Sequence, residues 1–232
     1  MISIIIPTYN EAETLQTTLD RLHAHAQGNL EAGDFEIIIV DGGSTDRTVA
    51  IAQSQTTTVL QTSLSRAHQM NQGAAIARGD ILLFLHADTH LPKNFDRLIQ
   101  DSPTPAGAFR LAIDHPHWQL RLVEWGTQIR SQCFQLPYGD QAIFLSTHLF
   151  QKLNGYPELP IMEDFVLVRT IARTHRLTLL PATVTTSARR WMKRGILQTT
   201  LINQLMILGF YAGIAPETLR RWYRSGFWTQ GR

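Results

Sequence analysis

The sequence predicts an α/β domain built on a doubly wound, Rossmann-like, mostly parallel β-sheet, and two observations lead to this. Short runs of Ile, Val and Leu recur through the first hundred residues, and segments with helical spacing separate them. Near-continuous apolar runs are typical of parallel strands that helices cover on both faces, and repeated strand–helix units indicate a doubly wound sheet. In such sheets ligands bind beyond the carboxyl ends of the strands, so we expect the functional site there.

The elements follow one another regularly in the first half of the chain and less regularly in the second. The first half has strand candidates at 2–6, 37–40, 59–60 and 81–85, with helix candidates at 11–26, 46–54 and 65–77. The second half has strand candidates at 108–113 and 177–180, with helix candidates at 117–131, 146–153 and 163–175. No internal repeat or low-complexity linker interrupts them.

Capping residues predict where the first three helices begin. Asn10 and Glu13 have the spacing of a capping box for the first helix. Ser44 or Thr45 is placed to cap the second helix, and Ser65 to cap the third. These polar residues follow directly after predicted strands, so the helix starts and the strand ends lie together.

Composition and length exclude several classes of protein. The chain has 232 residues, of which 44% are apolar and 17% charged, so disorder and a nucleic-acid partner are not expected. A single cysteine, Cys133, excludes an internal disulfide framework and a Cys-rich zinc site, and we expect it to be buried. The apolar stretch at 2–6 lacks a basic start and is too short for a signal peptide, and no run approaches the ~20 apolar residues of a membrane span. A cytoplasmic location is therefore expected.

Charge divides the chain into an acidic part and a basic end. Residues 186–232 carry eight Lys/Arg and one Glu, whereas residues 1–185 carry thirteen Lys/Arg and eighteen Asp/Glu. We expect one catalytic domain at 1–190 and a basic, amphipathic helical extension at 191–232. Such asymmetry favours an anionic surface as a partner for the basic end.

The extension has the features of a segment that lies in a membrane interface. Between 196 and 215, five apolar residues are predicted to fall on one helical face with polar groups opposite. Arginines and lysines flank this segment, and aromatic residues follow it. A helix packed on the domain, or a dimer interface, is the alternative. The apolar positions are Leu197, Leu201, Leu205, Leu208 and Ala212, and the aromatic ones are Trp222, Tyr223, Phe227 and Trp228.

Polar side chains follow three of the predicted strands. Tyr9 offers a flat ring for stacking, and Asp41 beside two glycines can accept hydrogen bonds from a base or a ribose. The chain contains neither a dinucleotide-binding glycine pattern nor a P-loop, so a diphosphate would need a cation. Asp88 is a suitable ligand for Mg²⁺ or Mn²⁺. His86 is either a second ligand for Mn²⁺ or a hydrogen-bonded histidine at the strand end.

Three motifs at these strand ends resemble those of the family 2 glycosyltransferases, which have the GT-A fold. They are IPTYNE at 6–11, VDGGSTD at 40–46 and FLHADT at 84–89. The segments SRAHQMNQG at 65–73 and YGDQ at 138–141 resemble a compact bacterial subgroup, and the likeness extends over about residues 1–190. The resemblance implies a UDP- or GDP-sugar donor, a divalent cation and transfer with inversion.

The resemblance also implies roles for individual residues. Tyr9 and Asp41 would hold the base of the nucleotide, and Arg66 would reach the base or the diphosphate. Asp88 matches the last, metal-binding Asp of the family's Asp-x-Asp motif, whereas His86 replaces the first. The residues that would shape the base pocket are Pro7, Thr8 and Glu11.

A carboxylate must remove the proton of the acceptor hydroxyl in an inverting transfer, and two candidates compete. Asp164, with Glu163 at a predicted helix start, resembles the Glu-Asp motif in which the Asp is the base. Asp140, followed by Gln141, is the rival and could instead orient the acceptor. For Glu163 and Asp164 helix capping is the structural alternative.

The segment SARRW at 187–191 resembles a motif of processive relatives, with Ser in place of Gln. In that likeness Arg190 would contact the diphosphate and Trp191 would face the acceptor, unless these arginines only contact lipid headgroups. The missing Gln and the lack of membrane spans favour a single transfer over polymer extrusion. A sugar nucleotidyltransferase and a non-catalytic nucleotide- or lipid-binding module remain as alternative functions.

Overall fold

The computed structural model describes residues 1–28, 34–55 and 58–225. Eight strands form one mixed sheet in the order β3-β2-β1-β4-β7-β6-β8-β5. The first four in this order run parallel to one another, as do β6 and β8, and antiparallel β7 joins the two groups. The strands are β1 (Ile2–Thr8), β2 (Phe35–Asp41), β3 (Thr58–Gln61), β4 (Ile81–Phe84), β5 (Thr89–His90), β6 (Ala106–Asp114), β7 (Phe144–Ser146) and β8 (Thr178–Ser187).

Helices cover both faces of this sheet, and three further helices follow the last strand. The helices are α1 (Leu15–His25), α2 (Thr48–Gln55), α3 (Arg66–Ile76), α4 (Phe95–Gln100), α5 (Trp118–Cys133), α6 (Thr147–Lys152), α7 (Glu163–Thr174), α8 (Arg189–Arg194), α9 (Ile196–Tyr211) and α10 (Pro216–Ser225). A 3₁₀ turn at Gly139–Gln141 precedes β7. The strand–helix order predicted from the apolar runs is confirmed.

Apolar residues fill a core on each face of the sheet. Ile4 and Ile6 of β1 point into the core that includes α1, α4 and α5, whereas Ile5 points into the core beneath α3, α6 and α7. Every residue of β2 is buried, as expected for a strand covered on both faces. A third cluster, which includes Phe165 of α7, packs α7 against α9 and α10.

Two of the three predicted helix starts differ from expectation. Thr14 precedes α1 without a side-chain cap, and the Asn10 side chain instead accepts a hydrogen bond from the backbone N–H of Thr45. The capping box was therefore wrong, because the chain makes an extra turn before the helix. At the start of α2, Asp46 takes the place of the predicted cap, Ser44 or Thr45, and accepts a hydrogen bond from the backbone N–H of Thr48. Ser65 caps α3 as predicted, since its hydroxyl accepts from the N–H of His68.

The last strand is longer than the sequence indicated, and the single cysteine lies elsewhere than expected. β8 extends to Ser187 because it pairs with β6 along nearly its whole length, apart from an irregularity between Phe109 and Arg110. This pairing carries the chain to the same edge at which β1 and β4 end. Cys133, at the end of α5, is exposed rather than buried.

The C-terminal helices pack on the domain differently from the predicted pattern. Leu197, Leu201 and Leu208 are more than half exposed, while Ile202 and Met206 face the protein. Helix α9 is apolar on both sides, so the prediction of polar groups opposite the leucines was wrong. Among the described residues, no helix is both long and apolar enough to cross a bilayer. The aromatic residues Phe227 and Trp228 lie outside the described residues.

Candidate active site

A pocket of about 810 Å³ opens where the carboxyl ends of β1, β4 and β8 meet the start of α7. Parallel β1 and β4 end side by side, and the backbone N–H of Ser187 donates to the carbonyl of Asp88, which brings β8 to the same place. The sequence-predicted residues that line the pocket are Pro7, Thr8, Tyr9, Glu11, Arg66, His86, Asp88, Asp140, Glu163, Asp164, Arg190 and Trp191.

Asp41 lies behind this pocket rather than in it. Its carboxylate is fully buried and accepts hydrogen bonds from the hydroxyl of Thr8 and from the backbone N–H groups of Gly43 and Ser44. The Ser44 hydroxyl donates to it as well. Because donors from the turn after β2 bind the Asp41 carboxylate inside the protein, the structure does not support direct contact between Asp41 and a base. Asp41 instead joins the loops that follow β1 and β2.

A glutamine from α3 holds the same two strand ends together. The Gln69 side-chain amide donates to the carbonyls of Thr8 and Val40, at 2.9 and 2.7 Å. Because the loop after β1 is fixed from behind in this way, Tyr9 can project outward, and 44% of its surface is exposed. An exposed, well-supported aromatic ring at a pocket edge can stack on a planar group.

Arg66 and Arg189 form three ion pairs on the pocket wall. Arg66 and the buried Glu163 approach within 3.8 Å. Burial raises the pKa of Glu163, an effect that the Arg66 guanidinium opposes. On the other side, Arg189 contacts both Glu11, at 2.5 Å, and Asp88, at 3.2 Å. Arg189 therefore connects the loop after β1 with the end of β4.

His86 lies just after the end of β4, where its surroundings favour the neutral imidazole. Burial, together with the charges of Arg66 and Arg190, lowers its pKa to about 3. A Cβ atom added at Gly139 would lie 3.0 Å from His86 Nε2 and 3.2 Å from Asp164 Oδ2. Glycine at this position therefore lets the imidazole and the carboxylate approach the same backbone segment.

The two candidate bases have different surroundings. Asp164 is partly exposed, and its carboxylate oxygens each accept one backbone N–H, from Gly139 at 2.8 Å and from Phe165 at 2.7 Å. The Oδ1 atom of Asp140 is buried without a hydrogen-bond partner among the described residues. Burial raises the pKa of Asp140, the nearby Arg130 lowers it, and the charge of Asp164 raises it further. The protonated form is thus favoured more at Asp140 than at an ordinary aspartate.

Gln141 does not reach the pocket, contrary to the expectation of an acceptor-side role. It is fully buried, and its amide donates to the carbonyl of Phe109 while its oxygen accepts from Arg130, Ser131 and the backbone of Tyr138. These bonds use its hydrogen-bonding capacity inside the protein. Gln141 therefore holds the turn that carries Asp140.

Arg190 and Trp191 enter the pocket from α8. The Arg190 guanidinium lies 4.2 Å from the ring centre of Tyr223 and 3.4 Å from the Asn203 side-chain oxygen. Trp191 is nearly buried, and its indole N–H has no hydrogen-bond partner within the described ranges. A buried donor of this kind is a candidate contact for a bound molecule.

The family model described as glycosyl transferase family 2 matches residues 3–108, a little less than half of the chain. This segment is therefore similar to glycosyl transferase family 2. The match includes the loops after β1 and β4, which form one wall of the pocket. Both candidate bases and α8 to α10 lie outside the matched residues.

Curated glycosyltransferases resemble part of the chain. A PGL/p-HBAD biosynthesis glycosyltransferase of Mycobacterium bovis is 40% identical over 98 residues, which are 39% of this chain and 36% of that protein. A dolichol-phosphate mannosyltransferase of Pyrococcus furiosus is 32% identical over 106 residues, or 43% of this chain and 29% of that protein. The chain thus matches only about a third of the length of these relatives.

Solved structures extend the likeness in fold beyond the family 2 region. The mannosyltransferase PcManGT from Pyrobaculum calidifontis, in complex with GDP-Man and Mn²⁺, has a TM-score of 0.67 at 18% identity. The alignment covers 97% of this chain and 68% of that one. S. aureus TarS in complex with UDP-GlcNAc has a TM-score of 0.63 at 19% identity, covering 80% of this chain and 58% of that one. The chain therefore has the GT-A fold.

The sequence did not indicate that the last helix lines the site. Arg220, Tyr223 and Arg224 of α10 line the same pocket as the strand ends. The Arg194 guanidinium donates to the carbonyls of Tyr223 and Arg224, which fixes the end of α10 against α8. The basic pattern of the segment was visible in the sequence, but its position over the pocket depends on tertiary packing.

Proposed function

We propose that this chain is an inverting glycosyltransferase that moves a sugar from a nucleotide-diphosphate donor to an acceptor hydroxyl in a single transfer. The observation that best supports this proposal is the pocket at the carboxyl ends of the strands. It combines an exposed aromatic ring, several arginines and the two dissimilar carboxyl groups of Asp140 and Asp164. Similar solved structures contain UDP-GlcNAc or GDP-Man, so a UDP- or GDP-sugar is the proposed donor.

The donor would bind along the wall formed by β1, α3 and α8. Tyr9 would stack on the base, with Pro7, Thr8 and Glu11 around it. Arg66 and Arg190 are the proposed contacts of the diphosphate, since a guanidinium binds phosphate oxygens in a fork geometry. The support for this arrangement is that these residues line one pocket.

A divalent cation, Mg²⁺ or Mn²⁺, fits this proposal if the donor supplies most of its ligands. Among the described residues no group of three or more His, Cys, Asp or Glu side chains could hold a metal ion alone. Asp88 offers one carboxylate in the pocket, and the neutral His86 lies nearby. Mg²⁺ and Mn²⁺ commonly combine one or two carboxylates with phosphate oxygens and water. When bound, the cation would neutralise charge on the leaving diphosphate.

Asp164 is the proposed base. Each of its oxygens accepts one backbone N–H, which leaves lone pairs free to accept the proton of an acceptor hydroxyl. Asp140 is proposed to orient the acceptor, because a buried carboxyl with a raised pKa can donate its proton as a hydrogen bond. Glu163 and Trp191 line the same side of the pocket. In either case Asp164 also accepts the backbone N–H of Phe165 in the first turn of α7.

The proposal includes a cytoplasmic location with peripheral contact at the inner membrane face. Supporting this contact, α8 to α10 are rich in Arg and Lys, and α9 has leucines that are more than half exposed. The acceptor could then be lipid-borne, since α9 and α10 also line the pocket. This part of the proposal is separate from the chemistry and is tested separately.

The testing experiment compares Asp164→Asn and Asp140→Asn in the full chain. Donor hydrolysis is screened across UDP- and GDP-sugars with Mn²⁺, followed by transfer into a lipid extract, while donor affinity is measured by calorimetry. We expect Asp164→Asn to lower turnover by about 10²-fold or more and to keep donor affinity. Asp140→Asn should affect acceptor use more than donor hydrolysis.

Three outcomes would contradict the proposal. Unchanged turnover in Asp164→Asn would remove Asp164 as the base. Release of pyrophosphate from a nucleoside triphosphate and a sugar phosphate would indicate a sugar nucleotidyltransferase. Nucleotide binding without turnover of any donor would indicate a non-catalytic binding module.

A further inference from the structure

Helix α5 carries an exposed apolar face that the proposed chemistry does not use. Trp118, Leu122 and Trp125 are 65%, 57% and 66% exposed. Their spacing of four and three residues places them on one side of the helix. The opposite side packs on the sheet and buries residues such as Leu120 and Thr127. Tryptophan is usually well buried, so two exposed tryptophans on one helical face indicate a binding surface.

Helix α9 packs against α5 and has an exposed apolar face of its own. Leu197, Leu201 and Leu208 are 74%, 52% and 64% exposed. Together with the three residues of α5, they give six large apolar side chains, each more than half exposed, on two contacting helices. We call these six residues the α5–α9 surface.

Charge indicates what covers the α5–α9 surface. Helix α9 itself contains no charged residue, but the segment 189–224 around it has seven Lys/Arg and one Glu. Lys193 and Arg220, before and after α9, are both exposed. An apolar face with a basic surround matches an anionic bilayer, whose headgroups attract the cations while its acyl boundary takes up the apolar side chains. A second copy of this chain would instead bring two sets of positively charged side chains together, which would repel each other.

We propose that the α5–α9 surface docks on an anionic lipid bilayer and that Trp118 and Trp125 are its anchors at the headgroup level. Tryptophan suits that depth because its ring is apolar and its N–H can remain hydrated. The inference rests on the membrane contact of the proposed function. It adds that half of this contact is made by α5, a helix within residues 1–190.

Docking in this way would bring the pocket close to the bilayer. Asn203, Met206 and Ile207 of α9 line the pocket, while the exposed leucines lie on the other side of the same helix. The width of a single helix thus separates the proposed lipid contact from the pocket wall. A lipid-borne acceptor could enter without leaving the membrane.

The test measures binding of the full chain to vesicles of phosphatidylcholine, with and without phosphatidylglycerol, by co-sedimentation and by quenching of tryptophan fluorescence with brominated lipids. The variant is Trp118→Ser with Trp125→Ser, and the control is Ile76→Ser, which removes an exposed apolar residue on α3. A second variant, Leu197→Ser with Leu201→Ser, tests α9 alone. Donor hydrolysis in solution and the melting temperature are measured for every variant.

We expect wild type and Ile76→Ser to bind anionic vesicles, with binding weakened by salt. The tryptophan variant should bind at least about tenfold more weakly, with its melting temperature and donor hydrolysis unchanged. Vesicle binding that depends on the leucines but not on the tryptophans would overturn the inference and leave the membrane contact of the proposed function intact. If wild type bound no vesicles, both the inference and the membrane contact of the proposed function would be wrong. If wild type hydrolysed no donor, only the proposed chemistry would be wrong. A dimer in solution that the tryptophan substitutions dissociate would show that a second copy covers the surface.

Discussion

The position of Asp41 leads to a specific prediction. Substitution of a buried carboxylate that joins two loops should lower stability, whereas substitution of one that contacts a ligand should lower affinity. Asp41→Asn replaces one carboxylate oxygen with an NH₂ group. Each oxygen of Asp41 accepts two hydrogen bonds, from Thr8 and Ser44 hydroxyls on one side and from the Gly43 and Ser44 backbone on the other. The asparagine therefore loses two accepted bonds and brings its NH₂ group toward the former donors.

The expected cost follows from the worth of these bonds. Hydrogen bonds to a charged group are worth about 1.5–3 kcal/mol each, so the loss of two comes to about 3–6 kcal/mol. In a domain of this size about 1 kcal/mol lowers the melting temperature by about 2–4 °C, which predicts a fall of about 6–24 °C. Donor affinity should fall only indirectly, because the loop after β1 becomes less ordered.

Differential scanning fluorimetry and calorimetric titration of UDP and GDP measure the two effects. Ser44→Ala is the matched control, since it removes one donor to the same carboxylate without changing its charge. A melting temperature within about 2 °C of wild type, together with a large loss of nucleotide affinity, would refute the reasoning. That result would mean that Asp41 contacts the base directly.

Three further predictions concern stability and the pocket charge. Burial raises the pKa of Glu36, but hydrogen bonds from a serine hydroxyl and an arginine outweigh this and lower it, so Glu36→Gln should cost about 2 kcal/mol near neutral pH. In urea melts this deficit should shrink below about pH 4, as the wild-type carboxylate becomes protonated. Gly107→Ala places a Cβ 2.4 Å from a backbone oxygen and should lower the free energy of unfolding by about 1–3 kcal/mol, whereas Gly126→Ala, which meets no atom within 4 Å, should not destabilise α5. Arg189→Gln breaks partly exposed ion pairs with Glu11 and Asp88 and should change stability by at most about 1 kcal/mol per pair. Because these pairs connect the loop after β1 with the end of β4, the substitution should weaken UDP binding by calorimetry, and unchanged affinity would show that Arg189 does not shape the donor pocket.

The sequence predicted the strand ends well because their apolar runs and polar endings are local patterns. Tyr9, Asp88 and Asp164 come from three distant segments, yet they line one pocket as expected. The direction of a single side chain is not local in this sense. Asp41 and Gln141 were assigned to the site from their positions, but nearby backbone and side-chain groups hold them inside the protein.

The C-terminal helices show a second limit of sequence patterns. Helix α9 is apolar on both sides, so its spacing alone could not tell that Ile202 and Met206 face the protein while Leu197 and Leu201 face outward. The exposed face of α5 and the approach of α10 to the pocket depend on how helices pack together. Helical periodicity predicted that these helices exist, but packing decides which face is free.

The central claim is that the strand-end motifs, α3 and α8 together form one donor site. Hydrogen–deuterium exchange of the full chain, with and without a UDP- or GDP-sugar and Mn²⁺, tests this most directly. We predict that the donor slows exchange in the loop at 8–11, in α3 near Arg66 and in α8 near Arg190, while α5 stays unchanged. Protection that is absent with every donor, or confined to segments away from the pocket, would contradict the claim.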